Sequence, residues 1–251
     1  MRVFAVSDIH LDYKENFEWF NNISYSEYKD DLLILAGDIS DKISTIENAF
    51  NCLSKKFRLT MYVPGNHDLW VLNQNFKDSI DKFVLVRKLA KEYGVMTEPF
   101  HMENLHIIPL YGWYDYSFGS PAPDLFEKWA DYFTCKWPFE NEAEITEYFL
   151  DINEDYFNYN KKGTVITFSH FVPRIDVMPS FIPLEKREIY PVLGSHRIED
   201  HIRRIGSNIH IYGHSHVNRK VQIDDILYIN NAFGYPYETR ITAKKLIEVY
   251  E

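Results

Sequence analysis

Leu32-Leu33-Ile34-Leu35-Ala36-Gly37-Asp38-Ile39-Ser40-Asp41 contains the plan of the fold in ten residues. Five apolar residues without a polar interruption read as a strand buried on both faces. A glycine and two carboxylates follow at its carboxyl end. The same arrangement recurs along the chain. Residues 2–7 lead into Asp8-Ile9-His10, and Leu59–Val63 into Gly65-Asn66-His67-Asp68. Residues 164–169 lead into His170, and residues 208–212 into Gly213-His214-Ser215-His216. A sixth apolar run, 105–110, leads instead into Tyr111-Gly112-Trp113-Tyr114.

Helical patterns separate these runs. Ile46, Ala49, Phe50, Leu53 and Phe57 share one face, and Ser44 with Glu47 reads as a capping box opening that helix. Ile80, Phe83, Val84, Val86 and Leu89 mark a second helix, ended by Gly94. Ile198, Ile202 and Ile205 mark a third, ended by Gly206. Residues 221–223 and 227–229 read as a hairpin around Asp224-Asp225. Strands alternating with helices predict an α/β layered fold. The segment 111–160 differs: sixteen of its fifty residues are Phe, Trp or Tyr. It reads as an insertion with helices near 124–133 and 142–159, inside a single domain covering residues 1–251.

The chain of 251 residues is 45% hydrophobic and 25% charged, with a formal net charge of −10. This is the balance of a soluble globular protein, and it lacks the basic footprint of a nucleic-acid binder. Two cysteines, Cys52 and Cys135, form no C-x-x-C pair and no disulfide framework. No leader and no membrane-length apolar run is visible. The expected setting is cytoplasmic, with no membrane and no nucleic acid among the partners.

Ligands of open α/β sheets gather at the carboxyl ends of strands. Carboxylates, imidazoles and an amide are therefore delivered to one edge from five places. Oxygen and nitrogen donors in this mixture suit Mn, Fe or Zn better than Ca or Mg, and the absence of Cys from these motifs excludes a thiolate site.

The ordered set Asp-x-His, Gly-Asp-x-x-Asp, Gly-Asn-His-Asp, a single His and Gly-His-x-His resembles the calcineurin-like metallophosphoesterases. The motifs run from Asp8 to His216, nearly the whole chain. The resemblance implies a double β-sheet sandwich flanked by helices, two divalent metal ions and hydrolysis of phosphate mono- or diesters. It assigns Asp8, His10 and His216 to the first metal and Asn66, His170 and His214 to the second, with Asp38 bridging both. His67 would be the acid facing the substrate, and Asp68 its orienting partner. A hydroxide bridging the two ions would attack phosphorus. The protein Ser/Thr phosphatases of this family carry Arg-Gly after Gly-Asp-x-x-Asp. Here Lys42-Ile43 stands in that place, which argues against that subgroup and leaves Asp41 outside the ligand set.

Two further residues are candidates for substrate binding. Arg174 follows His170 by four residues, and an Arg fork suits phosphate. Trp113 follows the strand at 105–110, whose end is expected near the metals, so its ring would stack on the organic part of the substrate. Asn230 and Asn231 read as turn residues, His210 as a core histidine and His201 as a solvated one. The expected substrate is a small-molecule phosphoester, with phosphoproteins among the candidates. The rival reading is a non-catalytic metal-binding scaffold of the same fold. The filled ligand set and the presence of His67 favour an enzyme.

Overall fold

The structure, a computed structural model, describes residues 1–157 and 162–251. Its first half runs β1 (Val3–Val6), α1 (Lys14–Asn22), β2 (Leu32–Ala36), α2 (Ile43–Lys56), β3 (Leu59–Val63), a 3-10 turn at His67–Leu69, α3 (Ser79–Glu92) and β4 (Val95–Met96). Next come β5 (Phe100–His101), β6 (Leu105–Pro109), α4 (Leu125–Lys128), α5 (Asp131–Thr134), α6 (Glu142–Glu154) and β7 (Thr164–Phe168). A 3-10 segment (Leu184–Val192), α7 (His196–Ile205), β8 (Ile209–Tyr212), β9 (Arg219–Ile223), β10 (Ile226–Asn230) and β11 (Ile247–Tyr250) complete the chain.

The strands form two mixed sheets, ordered β11-β1-β2-β3-β4 and β5-β6-β7-β8-β10-β9. Strands β1 to β4 are parallel, as are β6, β7, β8 and β10. The period of two along each strand separates the layers. Val3, Ala5, Leu32, Ile34, Met61 and Val63 pack in one core with Ile107, Ile166, Phe168 and Ile211 of the second sheet. Their neighbours Phe4, Val6, Leu33, Leu35 and Tyr62 pack instead with Ile46, Phe50 and Leu53 of α2 and Val86 and Ala90 of α3. Both faces of the first sheet are therefore covered, which is why its strands read as unbroken apolar runs. Burying each such side chain contributes ~1.5–3 kcal/mol. Ser7 forms a parallel bridge with Ala232, and its N–H donates to the Asn231 carbonyl at 3.1 Å. That bridge draws the carboxyl ends of β1 and β10 together and so joins the two sheets beside the site.

Six predicted strands and the hairpin are present, and the layered sandwich is as expected. Several local readings need correction. Helix α2 starts at Ile43 with Lys42 as its N-cap and no side-chain cap, so Ser44 lies inside the helix and forms no capping box. On α3 the side chain of Asp78 caps by accepting from Asp81 N–H, and Val84 faces solvent while Lys82 is buried. The helix expected near 124–133 is broken into α4 and α5. The one expected at 142–159 ends as α-helix at Glu154, and Tyr159 lies outside the described residues. His201 is mostly buried, between Asn153, Glu154 and the Phe157 ring, rather than solvated. His210 is a core residue between Thr167 and Ser169, as expected. Among the described residues no helix is long and apolar enough to cross a membrane.

Candidate metal centre and its cleft

Each of the five motifs begins where a parallel strand stops. Asp8 and His10 follow β1, Asp38 follows β2, Asn66 and His67 follow β3, His170 follows β7, and His214 and His216 follow β8. The chain must turn sharply there to aim short side chains at one point. Asp8, His10, Asp38, His214 and His216 all adopt positive φ, between 38° and 65°. Five such residues in one site are held by their surroundings, because L side chains disfavour that region. The glycine at position 65 is sterically required: a Cβ there would run into the Asp38 carboxylate and the His170 ring.

Two sets of donor atoms converge and share Asp38. Asp8, His10, Asp38 and His216 offer ligand atoms within 4.8 Å of one another, and so do Asp38, His170 and His214. Asn66 belongs with the second set, because its Oδ1 lies 3.0 Å from His170 Nε2. Asp38 Oδ2 stands 3.9 Å from His10 Nε2 and 3.5 Å from His170 Nε2.

The hydrogen bonds around these donors point their lone pairs inward. His170 Nδ1 donates to the Ala36 carbonyl at 2.9 Å, and His214 Nε2 donates to the Val192 carbonyl at 3.0 Å. Burial pushes both imidazoles down to about 4, so both are neutral at pH 7 with one N–H each. Their remaining nitrogens, Nε2 of His170 and Nδ1 of His214, face each other at 3.1 Å without a proton between them. Burial, and then the Asp8 and Asp68 carboxylates, push Asp38 well above the usual carboxylate range. Bare lone pairs and crowded carboxylates around one point are the environment that a divalent cation relieves, and the residues fit metal ions well.

His216 differs from the other imidazoles. Burial opposes its charge, but Asp8 at 3.2 Å and Glu238 at 2.7 Å raise it to about 9. Burial likewise works against Asp8, yet the adjacent His216 charge holds its carboxyl below the usual range. His216 would have to give up its Nε2 proton to serve as a ligand in the first set.

Asp68 does not touch His67. Its carboxylate accepts from the N–H groups of Asp38 (2.8 Å), Ile39 (2.8 Å), Ser40 (3.1 Å) and Gly65 (2.9 Å), and from Tyr62 Oη (2.8 Å). It therefore pins the two loops that carry Asp38 and Asn66, and the expected orienting role towards His67 is corrected. His67 is held by a stack on Trp70 at 3.7 Å and an edge contact with His10 at 4.7 Å, and its Nε2 lies 3.4 Å from Tyr235 Oη. Burial and the neighbouring imidazoles keep it well below the ordinary histidine range.

Arg174 is engaged by carboxylates of its own. It forms a fork with Asp176 and a 3.0 Å bond to Glu199, which fill the anion-binding capacity expected for phosphate. Trp113 is fully buried, with its ring 4.8 Å from Phe171, and Phe171 in turn lies 4.8 Å from His214. Strand β6 runs parallel to β7 as expected, but Tyr111, Trp113 and Tyr114 at its end are buried in a layer behind the metal donors instead of facing the cleft. Other residues of the insertion reach the site. A cleft of about 300 Å³ opens over Asp38, Asn66, His67, His214 and His216. Trp70, Lys128, Trp129, Ala130, Asp131, Ile189, Ser215, Tyr235 and Glu238 complete its wall. A larger cavity of about 440 Å³ lies between the end of α3 and β4, beside Arg87 and Met96, and contains none of the metal donors.

Trp70, Asp131, Tyr235 and Glu238 belong to no recurring motif and were missed in the sequence. The proximity of Trp70 to His67 was the one available signal. Asn230 ends β10 and Asn231 follows it beside the Ser7–Ala232 bridge, so they tie strands together rather than forming the expected turn, donating to the carbonyls of Gly213, Ala5 and Lys245.

Comparison with known proteins agrees with this geometry. A model of the calcineurin-like phosphoesterases matches residues 1–218. The chain is 26% identical to the [acyl-carrier-protein] phosphodiesterase PptH of Mycobacterium tuberculosis, over 95% of this chain and 79% of that protein. It is 24% identical to the uncharacterized protein L509 of Acanthamoeba polyphaga mimivirus, covering 93% and 91% of the two chains. The crystal structure of the Mycobacterium tuberculosis phosphopantetheinyl hydrolase PptH superposes with a TM-score of 0.84 at 22% identity, over 99% and 95% of the chains. TT1561 of Thermus thermophilus shares the fold more loosely, with a TM-score of 0.52 at 16% identity over 99% and 98%. The chain belongs to the calcineurin-like phosphoesterases and is a metal-dependent phosphoric ester hydrolase.

Proposed function

We propose that this protein is a dinuclear phosphodiesterase that cleaves the phosphodiester joining a phosphopantetheine arm to a carrier protein. The observation that carries the two-ion part is the sharing of Asp38 by two converging donor sets beneath one cleft. The substrate part rests on the likeness to PptH over nearly the whole chain. A cleft of about 300 Å³ is at the small end of ligand sites and suits an extended arm rather than a folded partner. The expectation of a small-molecule phosphoester thus narrows to an arm carried by a protein. The single-domain organisation and the cytoplasmic setting remain part of this proposal, the latter on cysteine usage alone.

In this reading Asp8, His10, His216 and Asp38 hold one ion, and Asp38, Asn66, His170 and His214 hold the other. Two bound divalent ions would supply positive charge for the phosphate and acidify water at neutral pH. The chain's own residues do the rest. Asp38 sets the spacing of the two sites. His67, fixed by Trp70, presents its ring to the cleft and places Nε2 against a phosphoryl or leaving oxygen, where the negative charge of a bound phosphate would favour the protonated ring that proton transfer needs. Trp70, Trp129, Ile189 and Tyr235 line the route of the arm and exclude water from it.

The test is a comparison of Mn-, Fe- and Zn-reconstituted protein on four substrates: phosphopantetheinyl carrier protein, a small aryl phosphodiester, a phosphomonoester and a pyrophosphate. Release of phosphopantetheine with a kcat/KM well above that for the other three is expected. A preference for the monoester or the pyrophosphate overturns the substrate assignment.

A further inference from the structure

We propose that Asp131 is a positioning residue for the second metal, acting through the side-chain amide of Asn66. The inference rests on the two-ion reading above. An asparagine can ligate a metal only through its oxygen, and its two ends are nearly the same size. Some contact must decide which end faces the metal. Asp131 Oδ1 accepts from Asn66 Nδ2 at 2.8 Å, which leaves Asn66 Oδ1 directed at His170 Nε2. A flipped amide would bring its nitrogen against the Asp38, His170 and His214 donors and its oxygen against the Asp131 carboxylate.

The same carboxylate organises the wall of the cleft. Its Oδ1 also accepts from Trp70 Nε1 at 2.7 Å, and its Oδ2 from Trp129 Nε1 at 2.8 Å. Trp70 is the ring beneath His67. One buried carboxylate thus holds a metal ligand, the support of His67 and an aromatic of the cleft. It is supplied by the aromatic insertion, at the break between α4 and α5 that delivers Trp129-Ala130-Asp131 to the cleft.

The test is calorimetric titration of Mn²⁺ into metal-free protein. Wild type should take two ions. Asp131→Ala should take the first normally and the second with 10–100-fold weaker affinity, the usual effect of losing a contact that orients a ligand. Asp131→Asn keeps an oxygen for Asn66 and should recover the second ion to within a few-fold. Should Asp131→Ala fail to fold, a variant with Asp131→Leu, Trp70→Phe and Trp129→Phe decides. It replaces the carboxylate and two of its donors by apolar groups, which avoids stranding either indole N–H, and leaves only Asn66 unheld. The second ion should again weaken 10–100-fold. Wild-type binding of both ions by folded Asp131→Ala, or by the triple variant, overturns the proposal. Equal damage in Asp131→Asn and Asp131→Ala does so as well. A wild type that takes a single ion overturns the two-ion reading and this one with it.

Discussion

Glu238 accepts a hydrogen bond from His216 Nδ1 at 2.7 Å, and so turns the opposite nitrogen of that ring towards Asp8. Glu238 also accepts from the Tyr235 N–H at 2.7 Å, so one carboxylate fixes both a proposed ligand and the loop that closes over it. Glu238→Gln should weaken the first metal ion by about 10–100-fold, as expected for a group that orients a ligand. It should also lower the pH at which His216 loses its proton, since a negative neighbour is gone. Histidine NMR titration of the metal-free protein, with metal titration beside it, checks both outcomes.

Asp38→Asn separates charge from shape. Its Oδ1 can still accept from the His67 N–H, which lies at 3.0 Å in the wild type. Removing a carboxylate that burial and the Asp8 and Asp68 charges already disfavour should leave the metal-free protein at least as stable as wild type. The rise in melting temperature on adding Mn²⁺ should largely disappear, because ligand-linked stability follows the affinity of the folded state. Melting curves with chelator and with metal decide it. An unchanged metal-induced rise would remove Asp38 from the shared position.

His67→Ala should keep its metal content, because His67 is assigned no ligand role, while turnover falls ~10²–10⁴-fold. The loss should be smaller for an aryl diester, whose leaving group needs no proton, than for an alkyl diester. Equal losses would confine His67 to charge stabilisation of the phosphoryl oxygens.

Trp113→Ala and Trp129→Ala should fail in different ways. Trp113 is enclosed by Tyr114, Trp137 and Phe171, and its truncation should cost about 3–5 kcal/mol of stability with little change in substrate preference. Trp129 lines the cleft and donates to Asp131, so its truncation should raise KM at modest cost in stability. Chemical denaturation and steady-state kinetics on one carrier-protein substrate distinguish the two.

His210 should contribute a loss of stability in mild acid. Burial pushes His210 down to about 3, whereas an unfolded histidine titrates near 6.5. Between those values the unfolded chain holds a proton that the folded one does not. Stability therefore falls as pH drops from 6.5 towards 3, by up to about 1.4 kcal/mol per pH unit for this group. His170 and His214 add the same sign down to about 4. His210→Gln should flatten the slope; a slope identical to wild type would show that His210 is not among its sources.

The strands, the order of their motifs and the five places from which Asp8, His10, Asp38, Asn66, His67, His170, His214 and His216 arrive are legible in the amino-acid sequence. They are so because a buried strand and a sharp turn are local properties, written in consecutive residues. Tertiary structure alone decided what those residues do for one another. Asp68, adjacent to His67 in sequence, serves loop amides across the first sheet because the turn aims its side chain inward. Arg174, near His170 in the chain, is taken by Asp176 and Glu199. Trp113 follows the right strand yet packs one layer too deep, while Trp129 and Asp131, from a helix break with no sequence signature, occupy the wall. Glu238 reaches His216 across 22 residues. Such contacts depend on distances between segments set by the packing of two sheets, and no spacing along the chain encodes them.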